Sequence, residues 1–175
     1  MEVIIKICGA LMILFSGTMI GWLISLRYKN RVSELRGLQL AVKIIDTEIR
    51  YKQEKFADAI YNACQNIKYP LSEIFMEISQ ELNKEKQGEF EALWTGIWQE
   101  RQEQTNLKKS DIKIILDWGL QITSTPLAEM DSVSKNTLFR LDEAISCAGE
   151  KAEKMVKLSR YTGVLLSLLI IILFY

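Results

Sequence analysis

The 175-residue chain contains no histidine. It therefore lacks the side chain that most often titrates near neutrality, the commonest general base and the commonest metal ligand, which disfavours most hydrolase and zinc chemistries. Proline is nearly as scarce, with only Pro70 and Pro126, and the glycines do not cluster outside the first apolar run. Strands and hairpin turns thus have little support, and helices are the default. Neither sign of charge is in excess: 22 basic residues stand against 22 acidic ones. That balance argues against non-specific nucleic-acid binding, which needs a surplus of Lys and Arg to replace counterions. Cys8, Cys64 and Cys147 have neither CxxC spacing nor an even number, and read as reduced, structural thiols. The nearest approach to a phosphate loop, GEFEALW, lacks both the lysine and the second glycine of that motif.

What is there is unevenly placed. Apolar residues concentrate at the two ends, and the charges lie almost wholly between them. Ile7 to Leu26 is a run of twenty uncharged residues, about 30 Å as a helix and enough to cross a bilayer's hydrocarbon layer. It exceeds the usual core of a signal peptide, and no small-x-small cleavage site precedes the charges. Tyr161 to Tyr175 is fifteen uncharged residues, about 22 Å of helix. That is short for a span, but Lys157 and Arg160 can snorkel to the interface. Basic residues follow the first run (Arg27, Lys29, Arg31, Arg36) and precede the second (Lys151, Lys154, Lys157, Arg160), whereas only Lys6 lies on the other side of the first. By the positive-inside rule the middle of the chain is cytoplasmic and both termini face away. The expected organisation is an N-terminal transmembrane helix over 1–26, a cytoplasmic helical bundle over 27–160 and a C-terminal transmembrane helix over 161–175.

Within the middle region apolar spacing predicts six helices. The first leaves the membrane with Leu35, Leu38, Val42, Ile45 and Ile49 at alternating spacings of three and four, the seam of a helix packed on a helix. Arg31, Glu34, Lys43, Asp46 and Arg50 are expected on its solvated faces. A second helix is predicted from Phe56 to Ile67, and a third from Leu71 with Ile74, Phe75, Ile78 and Leu82 inward. After a turn around Gly88 comes a fourth, burying Phe90, Leu93, Trp94, Ile97 and Trp98. The fifth is capped by Ser110 with Asp111 in its first turn. The last is predicted to start with Thr125 as cap and Pro126 at the first helical position. Its seam of Leu138, Leu141, Ile145, Ala148, Ala152 and Met155 should pack antiparallel to that of the first helix. The expected fold class is all-α: a membrane-anchored antiparallel bundle with a transmembrane helix at each end.

Few residues suggest chemistry. Trp94 and Trp98 recur at helical spacing and read as core, not as a ligand pocket. Asp46, Glu48, Glu129 and Asp131 have no catalytic frame, and runs such as QERQEQ read as solvated helix faces. Catalytic, cofactor-binding and metal sites are therefore expected to be absent, and the chain is read as a non-enzyme. In the first span Gly9, Gly17, Gly21 and Ser25 share a face, and Gly17-xxx-Gly21 is the small-residue pattern that lets helices approach closely in lipid. Ser159, Gly163 and Ser167 answer in the second. Packing of the two spans on each other is the favoured reading, and homo-oligomerisation through the same face is the alternative.

Taken together, KICGALMIL, then RVSELRGLQLAVKIIDTEIRY, the seam in LSEIFMEISQEL, a helix bearing Trp94 and a basic helix entering SRYTGVLLSLLIIILF resemble the stage III sporulation protein AB family of endospore-forming bacteria. The segment ELRGLQLAVKIIDTEIRY carries the likeness best, through Glu34, Leu35, Leu38, Thr47, Glu48, Ile49 and Tyr51. Departures lie at Glu54 to Ala59, where members tend to have a PLPEA-type turn, and at Gln121 to Pro126, where they tend to have LG-x-SD. The resemblance implies a component of the channel between mother cell and forespore, in the mother-cell membrane facing the forespore. Its role would be similar to that of the inner-membrane platform proteins of type II secretion, with other channel components as partners. It also implies a cytoplasmic ATPase partner of the stage III sporulation protein AA type. The alternative is a membrane-anchored helical accessory or signalling receptor outside sporulation. For the ATPase, the candidate docking patch is the corner formed by Glu48, Arg50 and Tyr51 with Glu54 and Lys55, about 37 Å along the first cytoplasmic helix.

Overall fold

The computed structural model describes the backbone of residues 2–84 and 90–174, and within these the side chains of all but 2–8, 10, 11, 14, 160, 166, 173 and 174. The turn expected around Gly88 and the side chains of Lys6, Cys8 and Arg160 lie outside the described residues. Among the described residues six α-helices follow in order: α1 (Glu2–Lys52), α2 (Phe56–Cys64), α3 (Leu71–Lys84), α4 (Phe90–Arg101), α5 (Lys109–Ser124) and α6 (Met130–Phe174). A 3-10 turn over Gln102–Gln104 extends α4, and no strand occurs among the described residues. The chain forms two compact units, one of Met1–Asn30 with Cys147–Tyr175 and one of Arg31–Ser146.

The first unit pairs the N-terminal part of α1 with the C-terminal part of α6. Met12, Phe15, Trp22, Leu165, Leu169 and Ile172 are among its large apolar side chains facing outward. Among the described residues one helix, α6 over Met130–Ile172, is long and apolar enough to cross a membrane.

In the second unit the apolar seam of α1 is realised: Leu35, Leu38, Ala41, Val42 and Ile45 are fully buried. They share the core with Ala59 and Ile60 of α2, Ile74, Phe75 and Ile78 of α3, Trp94 and Trp98 of α4, Ile115 and Trp118 of α5 and Leu141 of α6. Phe75 meets Trp98 edge-on at 5.8 Å, and Phe90 stacks on Trp94 at 5.6 Å. Both geometries suit the ring quadrupoles. Gly119 of α5 lies so closely under the Trp94 ring that a Cβ there would clash with it. Only a glycine lets α4 and α5 approach at that point. Leu82, Leu93, Ile97 and Ile49 are half-buried at the rims of their helices.

Four expectations change. α2 ends at Cys64, and Ile67 is instead buried in the bend that leads through a cis Tyr69–Pro70 peptide to α3. The last helix begins at Met130 and not at Pro126, because the Pro126 carbonyl accepts the Glu129 N–H at 2.9 Å and closes a separate tight turn first. At the start of α5 Asp111, not Ser110, does the capping: its carboxylate accepts the Lys108 N–H at 2.9 Å from the third helical position. Finally, Arg31 and Glu34 do not face water but are buried, for reasons found in their partners.

Candidate partner-docking and packing sites

The C-terminal corner of α1 is built by its own last turn. Arg50 and Lys52 stand where the helix dipole favours cations. Gln53 then adopts a left-handed conformation, φ 55°, that stops the helix and turns the chain toward α2. The Glu54 N–H donates back to the Glu48 carbonyl at 3.3 Å. Glu48 accepts Lys52 Nζ at 2.7 Å, and that bond holds its carboxyl below the ordinary glutamate range. Arg50 donates to Asp46 at 3.1 Å and to Asp131 of α6, the latter bond raising the guanidinium pKa further, and it lies 5.4 Å from the centre of the Tyr51 ring. Asp131 is held low by Lys135 and by Arg50. Glu54 accepts the Asn62 amide at 2.9 Å. Of the five residues expected to form the docking patch, Glu48, Arg50 and Glu54 are thus engaged within the chain. Tyr51 is 74% exposed, and Lys55, in extended conformation ahead of α2, is open as well.

The small residues of the first unit come together in antiparallel register. A Cβ on Gly17 would stand 2.9 Å from the Gly163 carbonyl oxygen and 3.1 Å from Ser167, and one on Gly163 would stand 2.6 Å from the Gly17 carbonyl oxygen. Gly21 and Ser159 border a cleft of about 190 Å³ beside this contact. Ser25 donates to the Trp22 carbonyl at 2.7 Å, Ser159 to that of Val156 at 3.4 Å and Ser167 to that of Gly163 at 2.7 Å, so each hydroxyl is satisfied by its own helix. Gly9, expected on the same face, has open space around its Cα.

A polar clasp at the start of the second unit escaped the sequence. Arg31 reaches Asp111 with two bonds, Nε at 2.8 Å and Nη2 at 2.9 Å. Three residues on, Glu34 accepts the Asn106 backbone N–H at 2.8 Å and its side-chain amide at 2.6 Å. The first turn of α5 and the segment before it are thereby tied to α1 by four bonds, two through Arg31 and two through Glu34. Burial pushes the Glu34 carboxyl up, and the two Asn106 donors only partly offset this. Burial acts in the same sense on Asp111, but Arg31, the Lys108 N–H and the Ser110 hydroxyl outweigh it and leave that carboxyl below the ordinary range. A usable signal exists in the spacing: stepping back four from Leu35 or seven from Leu38 reaches Arg31, so the seam itself runs through the charge.

Among the described residues no group of three or more acidic or cysteine side chains is placed to hold a metal ion. Cys64 is buried, its thiol donating to the Tyr61 carbonyl at 2.9 Å, whereas Cys147 is exposed.

Comparison with known proteins follows the same lines. A family model described as stage III sporulation protein AB matches residues 6–175. Stage III sporulation protein AB of Bacillus subtilis (strain 168) is 24% identical over 169 residues, covering 97% of this chain and 98% of that protein. A solved structure of stage III sporulation protein AB has the same fold, with a TM-score of 0.65 at 19% identity over 71% of this chain and 97% of that one. With a helical architecture that matches and a family likeness that runs nearly end to end, the chain belongs to the stage III sporulation protein AB family.

Proposed function

We propose that this chain is a non-enzymatic membrane component of the channel between mother cell and forespore, a platform that couples a cytoplasmic ATPase of the stage III sporulation protein AA type to that channel. The observation that carries the reading is the outward-facing apolar surface of the first unit, joined in one chain to a polar-surfaced helical bundle. Water-exposed Met12, Phe15, Leu165 and Ile172 would be costly, and lipid removes that cost. The N-terminal helix over 1–26 and the C-terminal one over 161–175 are read as the two spans, packed on each other through Gly17, Gly21 and Gly163. The bundle over 27–160 lies in the mother-cell cytoplasm, where the basic flanks hold it.

Two experiments test this. A membrane-impermeant thiol reagent applied to intact cells should leave Cys147 unlabelled until lysis; Cys64 is silent because it is buried. Labelling of Cys147 before lysis overturns the topology. Tagged full-length chain, solubilised in mild detergent, should retain the ATPase, and an eluate without it overturns the platform role. We place the docking patch at Tyr51 and Lys55, the open members of the α1 corner, so a Tyr51→Ala, Lys55→Glu variant should lose the ATPase while keeping its circular dichroism.

A further inference from the structure

We infer that the groove between α2, α3 and the end of α4 docks a basic, amphipathic helical segment of a partner protein. The groove encloses about 650 Å³. Cys64, Ile67 and Met76 give its lining apolar surface, beside the polar Gln65, Ser72 and Gln80. Its wall is a row of carboxylates: Glu73, Glu77 and Glu81 follow one another at intervals of four along α3 and so stand on one face, one turn apart. Like charges at that spacing repel each other along the helix, and nothing in the packing of the core requires them there.

Compensation within the chain is incomplete. Glu77 pairs with Arg101 across the groove at 2.9 Å, and Glu81 with the exposed Lys84 at 2.7 Å, whereas no ion pair reaches Glu73 among the described residues. Arg101 is outnumbered: Glu77, Glu100 and Glu73 all act to raise its pKa. In a chain whose formal charges cancel overall, this is a local acidic field beside the apolar part of the groove. The field repels nucleic-acid phosphates and anionic lipid headgroups, which removes both as occupants. A free divalent cation does not fit either, since these side chains form no metal-binding group. A helix with Lys or Arg on one edge and apolar residues on the other matches both features. Eight residues from Glu73 to Glu81 span about 12 Å, two turns of such a helix.

The inference deepens the platform reading and rests on it for the identity of the partner, but its test does not. Full-length chain in nanodiscs of zwitterionic lipid, carrying a photo-crosslinking amino acid at Gln80 on the groove's edge, is exposed to a synthetic Lys/Leu amphipathic helix. A second sample receives the same peptide with every Lys changed to Glu. The Lys peptide should cross-link, and its yield should fall about tenfold or more in a Glu73→Lys, Glu81→Lys variant of unchanged circular dichroism and with the Glu peptide. Equal yields from the two peptides, no cross-link with either, or a yield indifferent to the charge reversal overturns the inference. Co-purification of the ATPase with the wild-type chain judges the platform reading separately. Given a groove that takes the Lys peptide, loss of the ATPase from the charge-reversed variant assigns the basic helix to it, and retention assigns the helix to another channel component.

Discussion

Within the second unit, α1 carries nearly the same device at both of its ends. Near the N-terminal end of this stretch Arg31 pairs with Asp111, 80 residues away, and near the C-terminal end Arg50 pairs with Asp131, 81 residues away. Their surroundings differ. The Arg31 and Asp111 side chains are 10% and 2% exposed, those of Arg50 and Asp131 21% and 39%. In the first pair water cannot replace a lost partner, so the carboxylate must have its bonds supplied by the protein: Arg31 twice, Lys108 N–H and Ser110 Oγ. In the second, solvent and Lys135 stand ready. Identical chemistry therefore has opposite fragility, and burial decides which.

The sharpest way to break the comparison is to remove one partner of the buried pair. Asp111→Ala should destabilise the bundle by about 3 kcal/mol or more, because it removes the buried carboxylate that Arg31 binds twice and uncaps α5 as well. Arg31→Met with Asp111→Leu should recover much of that loss, since apolar residues of similar size carry no desolvation penalty. Urea denaturation of the full chain, followed by tryptophan fluorescence, measures both, and equal losses in the single and double variants would count against the buried-pair account. Next in size, Gly119→Ala should cost about 1–3 kcal/mol by forcing the Trp94 ring aside.

Acidity sharpens the contrast further. Glu34 has a raised folded pKa, so its contribution is present below its unfolded value and is lost as pH rises through the folded one. Asp111 has a depressed folded pKa, so its contribution is present above the unfolded value and is lost as pH falls through the folded one. Acidification should thus gain a little stability just above the ordinary glutamate range and lose it below the ordinary aspartate range, where Glu48 and Asp131, both held low by their cation partners, act in the same direction as Asp111. Denaturation midpoints across a pH series should show Glu34→Gln abolishing the gain alone. The smallest effect is expected from Asp131→Ala, with a midpoint shift well below that of Asp111→Ala in the same assay.

How much of this could be read from the chain follows the same division. The seam of α1 and the inward faces of α3 and α4 were legible, because each depends on residues one turn apart. Arg31, Glu34 and Glu48 were not. Their residue types pointed to water, and what buries the first two is a segment more than seventy residues away. Spacing alone would have placed Arg31 and Glu48 on the seam, four before Leu35 and three beyond Ile45, had periodicity been allowed to outrank polarity. The start of α6 failed for a different reason. Pro126 suits a first helical position, yet an i to i+3 bond from Glu129 satisfies its carbonyl in a turn that the helix does not continue. At the α1 corner the sequence singled out five residues but could not tell the tethered ones from the open ones, since their partners Lys52, Asp131 and Asn62 settle that.

The distribution of indoles makes the molecule its own reporter. Trp94, Trp98 and Trp118 are fully enclosed in the second unit, whereas Trp22 of the first is half-exposed among apolar side chains. In a membrane, lipids with brominated acyl chains would extinguish the emission of Trp22 by contact and leave the other three alight. A soluble quencher added to the unfolding bundle would do the reverse. Insertion and folding, usually entangled in one signal, are therefore separable in the unmodified chain.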